Sequence, residues 1–226
     1  SELLWFLEGS NDERRLCEIL HGTRDQSKRT VWTDNAAASY WTPKASFEGD
    51  VGRNYGVQWR SWGPRIGPHV DQIKEVIELI KKDPTGRRHI VTAWNPGELK
   101  DTALPPCHIM FQFYVSNNGE LSCQMYQRSA DWPLGVPFNI ASYSLLTHMI
   151  AQVCGLKVGE FIHTTGDSHI YLNQIDGCYE QFARVPGKLP TLWINPEVTD
   201  IDSFTMEDFR LDGYDPQPAI HFPFST

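Results

Sequence analysis

The chain of 226 residues is long enough to bury a hydrophobic core as one domain, residues 1–226. Hydrophobic residues make up 40% of it, including 8 Trp, 8 Tyr and 11 Phe, which excludes a disordered chain. The formal net charge of −8 predicts no DNA partner, and polar residues interrupt every apolar stretch that could span a membrane. Five cysteines without Cys-x-x-Cys spacing or a signal peptide predict reduced thiols, a cytoplasmic location and no metal site.

The N-terminal segment predicts two short helices. One is the end of a buried helix over Leu3–Leu7, and the second runs from Glu13 to Leu20 and stops at Gly22. Glu2 is either a helix-end residue in solvent, the commoner role, or a functional acid. Because the chain starts without Met inside an apolar helical pattern, we expect sequence to precede it.

The segment 23–65 shows no helical or strand period. Its tryptophans, among them Trp32, either line a pocket for a flat ligand or cap the core, the commoner case. After it, apolar spacing predicts a helix over 71–82, followed by Arg87 and Arg88 and a strand over 89–94. The two arginines form a solvated pair unless an anion lies nearby.

Cys107 follows two prolines and opens a predicted strand over 108–115. A second strand follows Asn117-Asn118-Gly119, a turn that predicts a hairpin and brings Arg128 to the same rim as the thiol. A guanidinium there would favour the thiolate and suit a phosphate. The alternative is a buried free cysteine beside a surface arginine.

A helical pattern from Phe138 to Leu156 predicts the central helix. Asn139 at its start is either a cap or an amide that recognises the edge of a pyrimidine. Further on, His169 and Tyr171 are two apart in a predicted strand and would share a face, for a sugar hydroxyl or for core hydrogen bonds.

These residues resemble the thymidylate synthases over essentially the whole chain. The motifs that carry the resemblance are Glu2 to Leu7, Tyr55 to Arg60, Arg87-Arg88, Ala93 to Asn95, Leu104 to His108, Tyr126 to Ser129, Gly135 to Tyr143, and His169 to Tyr171.

The resemblance implies an α/β (α+β) fold with a large mixed sheet, flanked by helices around a long central helix. It also implies a homodimer in which the sheets stack and each subunit donates Arg87 and Arg88 to the other. The implied reaction is reductive methylation of dUMP to dTMP with 5,10-methylenetetrahydrofolate as co-substrate and no metal. The N-terminal part of the family domain would precede residue 1.

The resemblance also assigns roles to individual residues. Cys107 would attack C6 of the uracil, Glu2 would organise proton transfers, and Tyr55 and His108 would support the water network. Arg128 and Ser129, with the partner's arginines, would hold the phosphate. The base, sugar and pocket contacts on the nucleotide would come from Gln127, Asp131, Asn139, His169 and Tyr171. The folate side would be shaped by Trp32, Leu104, Asp131, Leu134, Gly135 and Phe138.

The sequence departs from the family pattern at three places. Trp132-Pro133 stands where smaller or more flexible pairs are usual, Thr33 replaces the usual Asp, and the chain ends Phe224-Ser225-Thr226 instead of in small aliphatic residues. A more polar tail and a bulky Trp would admit water and give hydroxymethyl-dUMP, so a dUMP hydroxymethylase is the alternative. An inactive nucleotide-binding homologue is a third possibility, against which the intact Cys107 argues.

Overall fold

The computed structural model describes residues 1–63 and 66–224. In chain order the helices are α1 (Glu2–Leu7), α2 (Glu13–His21), α3 (Thr33–Ala36), α4 (Tyr55–Arg60), α5 (Gln72–Lys82), α6 (Gly135–Val153) and α7 (Ile175–Phe182). The strands are β1 (Ile90–Thr92), β2 (His108–Val115), β3 (Glu120–Asp131), β4 (Lys157–His169), β5 (Thr191–Ile194) and β6 (Phe209–Asp212).

A four-stranded mixed sheet in the order β1-β2-β3-β4 forms the centre of the fold. β2 and β3 are an antiparallel hairpin, as the Asn117-Asn118-Gly119 turn predicted, and Gly119 adopts φ 74° there. β3 and β4 are parallel and are connected through α6. The mixed α/β architecture agrees with the fold class that the family resemblance implied.

One face of this sheet packs against α6. Phe111, Phe113 and Met125 are buried there, and Tyr143 and Leu146 of α6 lie in the same core. The opposite face carries Tyr114, Tyr126 and Ile162, all more than a third exposed. Within residues 1–63 and 66–224, this second face of the sheet is therefore less covered than the face against α6. Among the described residues, no helix combines the length and the apolarity that crossing a membrane requires.

Local capping explains the helices whose ends were predicted. Asp71 is the N-cap of α5, and its carboxylate accepts a hydrogen bond from the Lys74 amide at 3.0 Å. The helix itself begins at Gln72, one residue later than predicted. Gly22 adopts a left-handed conformation and ends α2. The start of α5 and the end of α2 could therefore be predicted from residues next to each other in the sequence.

The segment 23–65, in which no helical or strand period was found, contains the short helices α3 and α4. The Asn54 side chain caps α4 by accepting from the Tyr55 amide. α4 also packs against α1 at Gly56, where an added Cβ would lie 2.6 Å from the Phe6 carbonyl oxygen. This tertiary contact stabilises a helix too short to show a period.

Other boundaries also differ from prediction, including the end of α6, which lies at Val153 and not at Leu156. β1 is shorter than the predicted strand over 89–94, and α6 begins at Gly135 rather than at Phe138. β4 ends at His169, so Tyr171 lies beyond the strand and caps the following 3₁₀ turn. The prediction that His169 and Tyr171 share a strand face was therefore wrong.

Candidate active site

Cys107 lies immediately before β2, half-buried at the rim of the sheet. Its amide donates to the Tyr55 hydroxyl at 2.6 Å, and its carbonyl accepts from the Arg128 amide at 2.8 Å. The Arg128 Nη2 atom lies 4.0 Å from Sγ. The thiol and guanidinium thus share one rim, as the hairpin predicted.

The Arg128 guanidinium is held from two sides. Nε donates to the Pro106 carbonyl at 2.8 Å, and Nη2 donates to the Pro105 carbonyl at 3.0 Å. Its Cζ atom also lies 5.5 Å from the Trp94 ring centroid. The two prolines therefore do more than direct the chain, since their carbonyls fix the cation next to Sγ.

Burial raises the pKa of the Cys107 thiol, whereas the Arg128 charge and hydrogen bonds from the Tyr55 and Ser129 hydroxyls act to lower it. The expectation that Arg128 would favour the thiolate was right in direction, but desolvation outweighs the charge. The thiol is therefore protonated at neutral pH in this structure, and nucleophilic attack requires loss of its proton.

Beside the thiol, the uncharged His108 contacts the aromatic rings of Phe6, Tyr55 and Tyr143. His108 stacks on Tyr55 with centroids 4.0 Å apart, and its Nδ1 hydrogen bonds with the Tyr143 hydroxyl at 2.7 Å. Burial, with a smaller effect from His163, lowers the pKa of His108 to about 3. Burial also raises the pKa of Tyr55 well above its usual value, so the Tyr55–His108 pair is neutral.

Glu2 is partly buried and is not a solvent-facing helix end, so the commoner role considered for it was wrong. The Trp32 indole donates to its carboxylate at 2.6 Å, and burial raises its pKa. Trp32 itself is buried in the core. An acid with a raised pKa is suited to exchanging protons near neutral pH.

The Thr33 departure has a structural explanation. The Thr33 hydroxyl donates at 2.7 Å to the buried carboxylate of Glu13, which Arg14 also pairs with at 2.5 Å. An aspartate at 33 would place a second carboxylate beside Glu13. The threonine therefore stabilises the segment that carries Trp32.

Asn139 and Gln127 form the polar pair expected to face the base. Gln127 Nε2 donates to Asn139 Oδ1 at 3.0 Å and to the Ser129 carbonyl at 2.9 Å. Asn139 lies within the first turns of α6, whose N-cap is Leu134, so the capping role considered for it was wrong. Gln127 Oε1 is bonded in turn to His163 Nε2 at 3.0 Å.

The residues predicted to shape the folate side lie where β3 ends and α6 begins. Asp131 accepts from the Leu134 amide at 3.3 Å and from Gln174 at 3.2 Å. Gly135 opens α6, and Phe138, one turn later, is 66% exposed. The exposed rings of Phe138 and Trp132 offer flat apolar surface to a ligand.

Leu104 belongs to the segment that precedes the thiol. Its carbonyl accepts from the Asn54 side chain at 2.7 Å, which ties this segment to the start of α4. Leu104 is partly buried against the core. Asn54, which sequence reasoning missed, thus connects the elements that carry Tyr55 and Cys107.

The two residues expected to bind the sugar remain neighbours despite the early end of β4. The rings of His169 and Tyr171 meet edge to face at 5.1 Å, and His169 Nδ1 lies 3.0 Å from an Asp167 carboxylate oxygen. Asp131 is directly opposite His169 in the β3–β4 register.

Arg87 and Arg88 are both exposed, and their side chains form no hydrogen bond or ion pair with the residues the structure describes. Arg88 lines a groove between α5 and β1 with Gln72 and Thr92. The lining of this groove includes neither Cys107 nor Arg128. Ser225 and Thr226, on which the polar-tail argument rests, lie outside the described residues.

A surface cavity of about 750 Å³ lies between α1, α2 and residues 201–207. Its Arg60 is paired with Asp71 and Asp202, and its lining includes none of the predicted site residues. The candidate site is therefore assigned from its chemistry and not from cavity size.

Sequence reasoning missed Tyr143 and His163 in addition to Asn54. His163 alternates with Phe161 and Thr165 on the less exposed side of β4, a period-two signal that was available in the sequence. Among the described residues, no group of three or more His, Cys, Asp or Glu side chains is placed to hold a metal ion.

The comparison with known families agrees with this geometry. The family model described as Thymidylate synthase matches residues 1–226, the whole chain.

Proposed function

Because the chain belongs to the thymidylate synthase family, we propose that it methylates dUMP to dTMP with 5,10-methylenetetrahydrofolate. The family transfers a one-carbon unit, so the chain is a C1-transferring enzyme. The observation that carries the specific proposal is the position of the Cys107 thiol, whose Sγ lies 4.0 Å from Nη2 of the anchored Arg128 and whose amide donates to the Tyr55 hydroxyl at 2.6 Å.

The reaction begins with proton loss from Cys107 and attack of Sγ on C6 of the uracil. The C6 bond makes C5 nucleophilic, and the Arg128 and Ser129 side chains hold the phosphate so that C6 stays in reach of sulfur. Asn139 contacts the base, and His169 and Tyr171 bind the sugar. The folate, when bound, supplies the methylene carbon at C5 and then the hydride that reduces it.

Proton transfers fall to the buried acid and the neutral rings. Glu2, with its raised pKa, exchanges protons with the base through water. Tyr55 and His108 orient that water without adding charge, since both are neutral. Loss of the C5 proton to this water and departure of tetrahydrofolate leave a methylene group at C5. The folate hydride then reduces this methylene as the Cys107–C6 bond breaks and the thiolate is returned.

The folate side fits a flat ring. Phe138 in the first turns of α6 and Trp132 just before this helix are aromatic side chains left open to solvent, and they offer flat apolar surface to a ligand. Asp131, Leu134 and Gly135 complete this side, and the family resemblance also assigns Leu104 and Trp32 to it.

A covalent-capture experiment tests the reaction. Incubation with 5-fluoro-dUMP and 5,10-methylenetetrahydrofolate should give a protein adduct whose mass equals protein plus both ligands, and Cys107→Ser should give none. Mass analysis after proteolysis should locate the adduct on the peptide that contains Cys107. A fully folded wild-type protein that forms no adduct would exclude this mechanism and favour an inactive nucleotide-binding homologue.

The second candidate function is dUMP hydroxymethylation, favoured by the 45% exposed Trp132 beside the folate residues. Water reaching the C5 methylene before hydride would give hydroxymethyl-dUMP and tetrahydrofolate. The mass of the nucleotide product decides between the two, and a rise in dihydrofolate absorbance accompanies only dTMP.

The active form proposed here is a homodimer that stacks the open faces of the two sheets and exchanges Arg87 and Arg88. The exposed Tyr114, Tyr126 and Ile162 and the two unpaired arginines support it. Mixing inactive Cys107→Ser with an inactive Arg87→Ala/Arg88→Ala double variant should restore activity in mixed dimers. Activity that stays absent despite subunit exchange would contradict arginine donation.

A further inference from the structure

His163 lies on β4, on the side of the sheet that faces α6, and is the first member of a chain of hydrogen bonds that ends at Asn139. Its Nε2 bonds Gln127 Oε1 at 3.0 Å, and Gln127 Nε2 bonds Asn139 Oδ1 at 3.0 Å. The His163 ring also stacks on Phe161 with centroids 5.9 Å apart. No role for His163 follows from the mechanism above.

The direction of these bonds is determined by a backbone group. The Ser129 carbonyl can only accept, so the Gln127 amide nitrogen must face it, at 2.9 Å. The same nitrogen donates to Asn139, which leaves Gln127 Oε1 facing the histidine. His163 must then donate from Nε2, and because burial lowers the pKa of His163, its neutral ring carries its single hydrogen on that nitrogen.

This polarity determines which way the Asn139 amide points. Its oxygen is held toward Gln127 and its nitrogen is left free, since a reversed amide would set Nδ2 against Gln127 Nε2, donor to donor. In the fixed orientation, the second lone pair of Oδ1 can accept from N3–H of uracil while Nδ2 donates to O4. Cytosine presents the opposite pattern at these two positions and would require the reversed amide.

We propose that His163 is a positioning residue for pyrimidine selection, acting through Gln127 to hold the Asn139 amide in the orientation that suits uracil. The inference rests on the proposed function, because it assumes that Asn139 contacts the base. Without the His163 donor, Gln127 keeps only its bond to Ser129 as an external restraint, and the Asn139 amide reverses more easily.

Two substitutions at one position separate the donor from the ring. His163→Phe keeps a flat ring against Phe161 and removes the N–H, whereas His163→Gln retains a side-chain donor. The dissociation constants of dUMP and dCMP, measured by calorimetry, give the selectivity of each variant without requiring turnover. His21→Phe, a change at a surface histidine whose Nε2 bonds the Arg29 carbonyl, is the matched control.

We expect His163→Phe to lower the preference for dUMP over dCMP by about tenfold, with the fall mainly in dUMP affinity, as for one lost hydrogen bond. His163→Gln should restore most of the preference, and His21→Phe should leave it unchanged. In turnover, the loss should appear in KM for dUMP more than in kcat.

A His163→Phe protein with wild-type selectivity would overturn the inference. So would a variant in which both nucleotides lose affinity equally, since that marks a general structural effect. Wild-type protein that binds dUMP but forms no dTMP would remove the proposed function and leave the selectivity test intact. Wild-type protein that binds neither nucleotide would remove both.

Discussion

The proposed nucleotide side and the proposed folate side of the candidate site differ in how their side chains are held. On the nucleotide side, Arg128 is fixed by two proline carbonyls and Gln127 by Ser129 and His163. On the folate side, Phe138 and Trp132 are exposed and held mainly through the backbone of α6 and the end of β3. The first half is organised before any ligand arrives, whereas the second presents surface that a ligand would cover.

The same contrast holds for charge. Burial raises the pKa of the Cys107 thiol and of Tyr55 and lowers the pKa of His108, so it favours the neutral form of all three groups. Arg128 remains the cation next to Sγ, so a bound phosphate would meet a fixed positive group in surroundings of low dielectric. Substitutions on the nucleotide side should therefore cost more than substitutions on the folate side.

The largest effect is expected for Arg128→Lys. Lysine retains the charge but cannot hold both the Pro105 and Pro106 carbonyls and still present a donor to phosphate. The value of kcat/KM for dUMP should fall by about 100-fold, which corresponds to loss of charged hydrogen bonds. Steady-state kinetics at saturating folate measure it.

Arg210→Lys is the matched control, since Arg210 also lies over a tryptophan, Trp193, and pairs with a neighbouring carboxylate outside the site. It should leave kcat/KM unchanged. Equal losses in both variants would remove the distinction between an anchored catalytic cation and any stacked arginine.

An intermediate effect is expected from acid. Burial lowers the pKa of His108 from 6.5 to about 3. Between pH 6.5 and pH 3, His108 is therefore protonated in the unfolded chain but neutral in the folded chain. The contribution of the neutral His108 to the free energy of unfolding is fully present above pH 6.5 and is lost progressively as the pH falls from 6.5 toward 3. From this residue alone, the free energy of unfolding should fall by up to about 1.4 kcal/mol per pH unit.

Denaturant unfolding of wild type and His108→Gln across this range measures the difference. The variant lacks the imidazole, so its pH slope should be shallower than that of wild type. Identical slopes would mean that His108 is protonated as readily in the folded state as in the unfolded one.

The smallest effect is expected on the folate side. Trp132→Ala removes an exposed ring, so stability should change by no more than about 0.5 kcal/mol. The KM for folate should rise a few-fold while the KM for dUMP stays constant. The ratio of dTMP to hydroxymethyl-dUMP should also shift if Trp132 controls the access of water to the methylene group on C5. The control is Phe182→Ala, which removes an exposed aromatic side chain on α7 and should change neither the KM for folate nor the product ratio. A larger loss for Trp132→Ala than for Arg128→Lys would reverse the comparison of the two sides.

Much of this site followed from local sequence. Cys107 after two prolines, the Asn117-Asn118-Gly119 turn and the strand alternation were enough to bring Arg128 to the thiol. The resemblance to a family added roles that no local pattern carries, such as that of Glu2. Sequence reasoning missed Asn54, Tyr143 and His163. Their hydrogen-bond partners lie between 35 and 50 residues away in the chain.

The sequence by itself determined where short-range chemistry acts, as in the caps of α2 and α5, the β2–β3 hairpin and the apolar face of α6. Only the tertiary structure decided the balance at the thiol, where burial outweighs the Arg128 charge, and the environment of Glu2, which Trp32 partly covers. It also decided the hydrogen-bonded chain from His163 to Asn139. The reason is physical: caps and turns depend on a few neighbouring residues, whereas desolvation and side-chain orientation depend on groups that only the complete fold brings together.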